Sequence, residues 1–205
     1  MQRFLATQGV SVRGALALAV ALVLGSAACT PAIFGAGATI GVAAVQERTV
    51  GNALDDTTIQ VMINQALLGA DSALFTAVGV EVVEGRVLLT GAVRSPEDRV
   101  EAVRLAWQVN GVQEVLNEIQ VSDRTRITAF INDVRISGQL RVRMLWDQEI
   151  NDINYSIDTV NGIIYLMGIA QDQTELDSVV GYARSISGVM EVVVHVRLKD
   201  DPRRS

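Results

Sequence analysis

The first apolar feature of the chain is an unbroken run from Ala15 to Leu24, and no charged residue occurs between Gly14 and Gln46. From residue 55 onward the pattern changes to short apolar segments of two periods, and it is written twice. Residues 55–121 align with 132–198 without a gap, at a constant offset of 77. Identical pairs include Asp56/Asp133, Leu68/Leu145, Val83/Val160, Gly85/Gly162, Leu89/Leu166, Gly91/Gly168, Gly111/Gly188 and Val112/Val189. Apolar character repeats at Ile59/Ile136, Ile63/Leu140, Leu67/Met144 and Val80/Ile157. Two copies of one supersecondary unit follow, and not a long solenoid.

Each copy predicts the same elements. Ile59, Ile63 and Leu67 form a helical stripe, as do Ile136, Leu140 and Met144. Asp56 and Asp133 are expected to cap these helices, with a side-chain oxygen on a free N–H of the first turn. Val78, Val80 and Val82 alternate, as do Tyr155 and Ile157, which predicts strands. Glu84-Gly85 and Asn161-Gly162 are tight-turn signals, the glycine supplying positive φ. Strands 86–90 and 163–167 follow, with Gly91 and Gly168 expected to end them. Second helices are predicted over 98–109 and 175–186, with Gly111 and Gly188 as their C-caps. Last strands are expected over 112–121 and 189–198. The order αββαβ gives an α+β fold of two tandem modules, each a small mixed sheet with two helices on one face.

The N-terminus is read separately. Arg3 and Arg13 precede the apolar run, and Gly25, Ser26, Ala27 and Ala28 lead to Cys29, the one cysteine of the chain. That is the layout of a signal peptide over residues 1–28. A run of ten is too short for an ordinary membrane span, which needs about 20 residues. The cysteine stands where a bacterial lipobox has its lipidated cysteine, which it resembles. Lipidation of Cys29 is therefore expected, with plain secretion or an uncleaved anchor as alternatives. Residues 29–54 read as the lipidated cysteine and a Gly/Ala-rich tether, 55–121 and 133–199 as the modules, 122–132 as a connector and 200–205 as a polar tail.

Composition narrows the function. Seventeen basic against 23 acidic residues give a net charge of −6, the wrong sign for a general nucleic-acid binder. One cysteine and one histidine leave no disulfide framework and no Cys/His zinc cluster. No nucleophile elbow, metal motif or phosphate-binding loop appears, so no catalytic residue, metal or cofactor is expected. His195 has Glu118 as its counterpart in the first copy and reads as a solvent-facing strand position.

The segments Gly85-Arg-Val-Leu-Leu-Thr-Gly91, Val109-Asn-Gly-Val112, Asn161-Gly-Ile-Ile-Tyr-Leu-Met-Gly168 and Ser187-Gly-Val189 resemble the BON-domain family. The whole layout resembles its two-domain outer-membrane lipoproteins of Gram-negative bacteria. The resemblance covers residues 50–200 and extends to the signal and Cys29. It implies a lipid-anchored protein on the periplasmic face of the outer membrane that interacts with phospholipid and supports envelope integrity.

One segment departs from the acidic character of the chain. Arg124, Arg126, Arg135, Arg141 and Arg143 stand against Asp123 and Asp133. On a helix starting near Asp133, a turn of 100° per residue places Arg135, Gln139, Val142, Arg143 and Trp146 on one face beside the core stripe. Arginine attracts anionic headgroups and tryptophan favours the headgroup boundary. This face is the expected contact with an anionic phospholipid surface. The alternative there is a solvated face with Trp146 tucked under the loop to Ile153. The rival function is a non-enzymatic scaffold that contacts a periplasmic or outer-membrane protein partner.

Overall fold

The computed structural model describes residues 50–122 and 127–204. The signal segment, Cys29 and the tether up to residue 49 lie outside the described residues. Both repeats fall in one compact unit, which carries three apolar cores.

The first module runs α1 (Val50–Ala70), α2 (Ser72–Ala77), β1 (Val78–Val83), β2 (Arg86–Val93), α3 (Pro96–Trp107), β3 (Glu114–Asn117) and β4 (Gln120–Val121). The second runs α4 (Ile127–Trp146), a 3-10 turn (Asp152–Asn154), β5 (Tyr155–Val160), β6 (Ile163–Ala170), α5 (Gln173–Arg184) and β7 (Glu191–Leu198). In each sheet the middle strand pairs antiparallel with the strand before it and parallel with the strand after the helix. The sheets are therefore mixed. Ile59, Ile63 and Leu67 of α1 and Ala102, Leu105 and Ala106 of α3 bury against Val80, Val82, Val87 and Leu89. Ile136, Leu140, Met144, Val179 and Ala183 do the same over Ile157, Ile164 and Leu166.

The aspartates are not helix caps. Asp56 and Asp133 sit inside α1 and α4, which begin earlier, at Val50 and Ile127. Their carboxylates face the hairpin turns instead. Asp56 accepts from the N–H of Glu84 (2.8 Å) and Gly85 (2.9 Å), and Asp133 from Asn161 and Gly162 (both 2.8 Å). The turns have φ of 53° and 70° at Glu84-Gly85 and of 52° and 79° at Asn161-Gly162, the two positive values of a type I′ hairpin. The second helices are capped by Ser95, which accepts from Asp98 N, and by Asp172, which accepts from Glu175 N.

The other glycines also stand differently from the sequence reading. Gly91 and Gly168 lie within β2 and β6 and do not end them. A Cβ on either would stand 2.0 Å from a carbonyl oxygen, of Ala77 or of Asn154, where the preceding short helix turns into the first strand. Gly111 and Gly188 are past the helix ends, in turns closed by Val112 N to Val109 O (3.3 Å) and Val189 N to Ile186 O (3.2 Å). Both have φ of 94°, as the third residue of a type II turn requires. The last strand of the first module breaks at Glu118-Ile119, whereas β7 is continuous.

Both faces of the middle strands are buried. Odd-numbered residues of β2 face the helices, while Leu88 faces the other module. Val83 and Leu88 pack with Tyr165, Met167 and Ile169 in a third core between the two sheets. The layers run helices, sheet, sheet, helices. A pseudo-twofold relation governs this seam: His195 Nε2 meets Glu118 Oε1 at 2.9 Å, and these are equivalent positions 77 residues apart. His195 is thus a seam residue and not a solvent-facing one. Further contacts across the seam join Ser156 Oγ to Glu81 Oε2 (3.0 Å), Thr90 Oγ1 to Asp158 Oδ2, Arg86 Nη1 to His195 O (3.0 Å) and Asn161 Nδ2 to Gln120 Oε1 (2.8 Å). The C-terminal tail adds Arg204, whose guanidinium forks onto Glu84 at 2.8–3.2 Å with both side chains largely buried.

Candidate functional site

Helix α4 carries two apolar stripes on opposite sides. Ile136, Leu140 and Met144 are at most 1% exposed and belong to the core. Phe130, Ile131, Val134, Val142, Leu145 and Trp146 face outward, and all are more than half exposed. Ile131, Val134, Gly138, Val142 and Leu145 recur at spacings of three and four, which lines them along one face. A Cβ at Gly138 would meet nothing within 4 Å, so the middle of this face is open. Monomeric proteins seldom expose contiguous apolar patches above a few hundred Å². Trp146 is 82% exposed and is not tucked under the following loop.

Arginines border the stripe. Arg135, Arg141 and Arg143 are exposed, yet each is held by the module. Arg135 Nη2 donates to Ser187 O (2.6 Å) and Asn132 Oδ1 (2.9 Å). Arg143 Nη1 donates to Tyr182 O (3.3 Å) and to Ser185 Oγ. Arg141 Nη2, on the other flank, reaches Ile157 O at 3.2 Å. These bonds tie the cations to the module beside the apolar face. They also give Arg135 and Arg143 a structural task at the end of α5, so reversing their charge would disturb the fold as well as the surface.

The five residues singled out in the sequence, Arg135, Gln139, Val142, Arg143 and Trp146, are all exposed and share one flank of α4. Sequence reasoning missed Phe130, Ile131, Val134 and Leu145, which form most of the stripe. Their three-and-four spacing was the available signal. The far end of α4 is fixed by the Tyr182 hydroxyl, which donates to Asp147 Oδ2 at 2.7 Å. That bond, with the Glu149 N–H, holds the Asp147 carboxyl below its ordinary range; the same bond pushes the Tyr182 phenol up.

Helix α1 lacks the arginines and carries a smaller outward apolar set, Val61, Met62 and Leu68, each about half exposed. Thr57, Gln65 and Gly69 stand at the positions of Val134, Val142 and Trp146, and Thr58, Asn64 and Ala66 at those of the three arginines. Among the described residues, no helix is long and apolar enough to cross a membrane. Among the same residues, no group of three or more His, Cys, Asp or Glu is arranged to hold a metal ion.

The comparisons with known proteins agree with this architecture. A family model described as BON domain matches residues 55–123 and 132–200. A protein of Anaplasma centrale, described as an uncharacterized protein in the gshII 5′ region, is 45% identical over 152 residues, covering 74% of this chain and 99% of that one. The outer membrane lipoprotein DolP of Haemophilus influenzae is 30% identical over 167 residues, covering 80% and 86%. The osmotically-inducible protein Y of Escherichia coli is 26% identical over 152 residues, covering 73% and 76%.

Proposed function

The chain belongs to the BON-domain family, and on that premise we propose that it is a non-catalytic envelope protein that lays α4 on anionic phospholipid. The observation that carries the reading is the outward apolar stripe of α4 bordered by three arginines. A helix of this kind lies in the interface with its apolar side sunk into the headgroup boundary. Each cation near an anionic surface contributes about 1 kcal/mol, and Trp146 suits the headgroup level. The likeness to an outer membrane lipoprotein supports lipidation of Cys29 and a place on the periplasmic face of the outer membrane. A lipid anchor would raise the local concentration of α4 at the bilayer, so that a modest affinity suffices. In this role the protein supports envelope integrity.

Co-sedimentation of residues 40–205 with neutral and with anionic vesicles tests the reading. The anionic vesicles are expected to carry down more protein. Added salt should weaken the binding without abolishing it, because the apolar stripe is not screened. A folded fragment that stays in the supernatant with anionic vesicles would overturn it. The second reading, a scaffold, is favoured by a different surface. Val100 (65% exposed) and Trp107 (52% exposed) stand out on α3, in the outer layer opposite α4. That layer would face away from a bilayer contacted by α4 and is free for a protein partner.

A further inference from the structure

The buried stripe of α4 sets how far the helix is rolled about its axis only coarsely, because apolar packing is non-directional and slides more readily than a pair of hydrogen bonds. Yet the roll decides which residues face outward. We propose that Asp133 is the positioning residue that sets this roll, and through it the face that α4 presents; the lipid consequence rests on the function proposed above.

Asp133 is 9% exposed and lies under the second turn of α4. Each of its oxygens takes one backbone N–H from the β5–β6 turn: Oδ1 from Gly162 and Oδ2 from Asn161, both at 2.8 Å. The donors belong to consecutive residues of a tight turn with φ of 52° and 79°, so they cannot swing independently. A carboxylate gripped on both oxygens has its position and its plane fixed. The bonds are charge-assisted and correspondingly strong. With side chains ending about 5–6 Å from the helix axis, a roll of 30° would carry the carboxylate about 3 Å. That would break both bonds. The remaining polar ties of α4 follow a roll more easily. Arg135, Arg141 and Arg143 are long and flexible, Ser137 meets Thr159 through a single hydroxyl pair at 2.7 Å, and Asp147, one residue past the helix, meets the long Tyr182 side chain through one bond at 2.7 Å.

The first module supplies a matched control. Asp56 makes the same two bonds to Glu84 and Gly85 under α1, a helix whose outward face has no arginine. Residues 40–205 contain no cysteine, so single cysteines at 130, 134, 139 and 142 can report the roll by their alkylation rates without lipid. The same probes report depth in anionic vesicles through lipid-borne quenchers. In Asp133→Ala the order of rates is expected to shift, with the ratio between positions 134 and 139 changing three-fold or more. Asp133→Asn keeps one acceptor and should shift it less, in the same direction. Asp56→Ala should lower the melting temperature similarly and leave the α4 profile unchanged. If the alanine variant does not fold, the asparagine variant carries the test alone. A folded Asp133 variant with the wild-type order of rates overturns the proposal, as does an equal shift in Asp56→Ala. A shifted profile together with a wild type that ignores vesicles supports the positioning role and overturns the lipid reading.

Discussion

Replacing Val142 and Leu145 together by serine separates the proposed membrane contact from fold stability. Leu145 is 68% exposed and Val142 54%, and neither belongs to the core of the second module. Fully burying a Val or Leu side chain contributes about 1.5–3 kcal/mol. Scaled to the exposed fractions, and to the partial burial of an interfacial helix, the pair should supply about 2 kcal/mol of vesicle binding. That corresponds to a loss of about 30-fold in the partition coefficient at 10-fold per 1.4 kcal/mol. Stability in solution should stay within about 0.5 kcal/mol of wild type, as for surface changes away from special features. The assay is vesicle titration at two salt concentrations, paired with urea unfolding. The salt dependence should be retained, because no charge is altered. Unchanged partitioning with an unchanged urea midpoint would refute the claim that the stripe is the contact.

Four further outcomes are expected. Cys29→Ala should move the protein from the membrane fraction to the soluble periplasm, and retention through carbonate washing would argue for an uncleaved anchor. Gly168→Ala should cost about 2–4 kcal/mol in urea unfolding, from backbone strain and a Cβ 2.0 Å from Asn154 O; Gly138→Ala, with open space and an ordinary helical site, should stabilise by about 0.5–1 kcal/mol. The Glu114 carboxyl is held below its ordinary range by the hydrogen bond from Arg86, with Arg197 and His195 adding to it and partial burial opposing. Its folded-state value is thus depressed, so its contribution is present above the unfolded value near about 4.3 and is lost as pH falls through the folded one. Glu114→Gln should be less stable than wild type at pH 7, and the gap should close in acid; a gap that stays constant from pH 7 to pH 3 would sink this account.

The architecture was legible because both of its signals are local. The helical stripes at Ile59, Ile63, Leu67 and at Ile136, Leu140, Met144 bury as their spacing predicts. The mixed three-strand order follows from the αββαβ succession. What was misread depended on contacts distant in sequence. Asp56 before an apolar stripe has the appearance of a cap, and only the return of the hairpin 28 residues later gives its carboxylate another pair of donors. Gly91 and Gly168 resemble strand ends because the carbonyls that crowd them come from Ala77 and Asn154. The seam did leave a trace. Val87-Leu88-Leu89 and Ile163 to Met167 are continuous apolar runs without alternation, the mark of strands buried on both faces. The lipid-facing candidates were half legible, since charge drew attention to Arg135 and Arg143 while the uncharged stripe beside them passed unnoticed.

The copies have diverged both at the seam, as at Arg86/Ile163 and Thr90/Met167, and on the outer helices. In a pseudo-twofold seam position i of one copy meets position j of the other and j meets i, and only residues at the axis meet their own counterparts, as Glu118 meets His195. A change on that face therefore alters a contact made by the other copy and must remain compatible with it. The outer helices face no such constraint, because the two sheets lie between them. There too the copies differ in character: Thr57 and Gln65 on α1 stand where α4 has Val134 and Val142, and Thr58 and Asn64 stand where it has Arg135 and Arg141. The carboxylate beneath each helix is the same in both. Identical inner supports with unlike outer faces fit a protein in which one module is specialised for a surface and the other holds it rigid. If α4 meets lipid as proposed, transplanting its outward residues onto positions 54, 57, 58, 64, 65, 66 and 69 of α1 should let the protein bind anionic vesicles from the opposite side as well. Such a protein would cross-link vesicles, a gain measurable as turbidity. Failure of a folded transplant to aggregate them would show that the outward residues alone do not suffice.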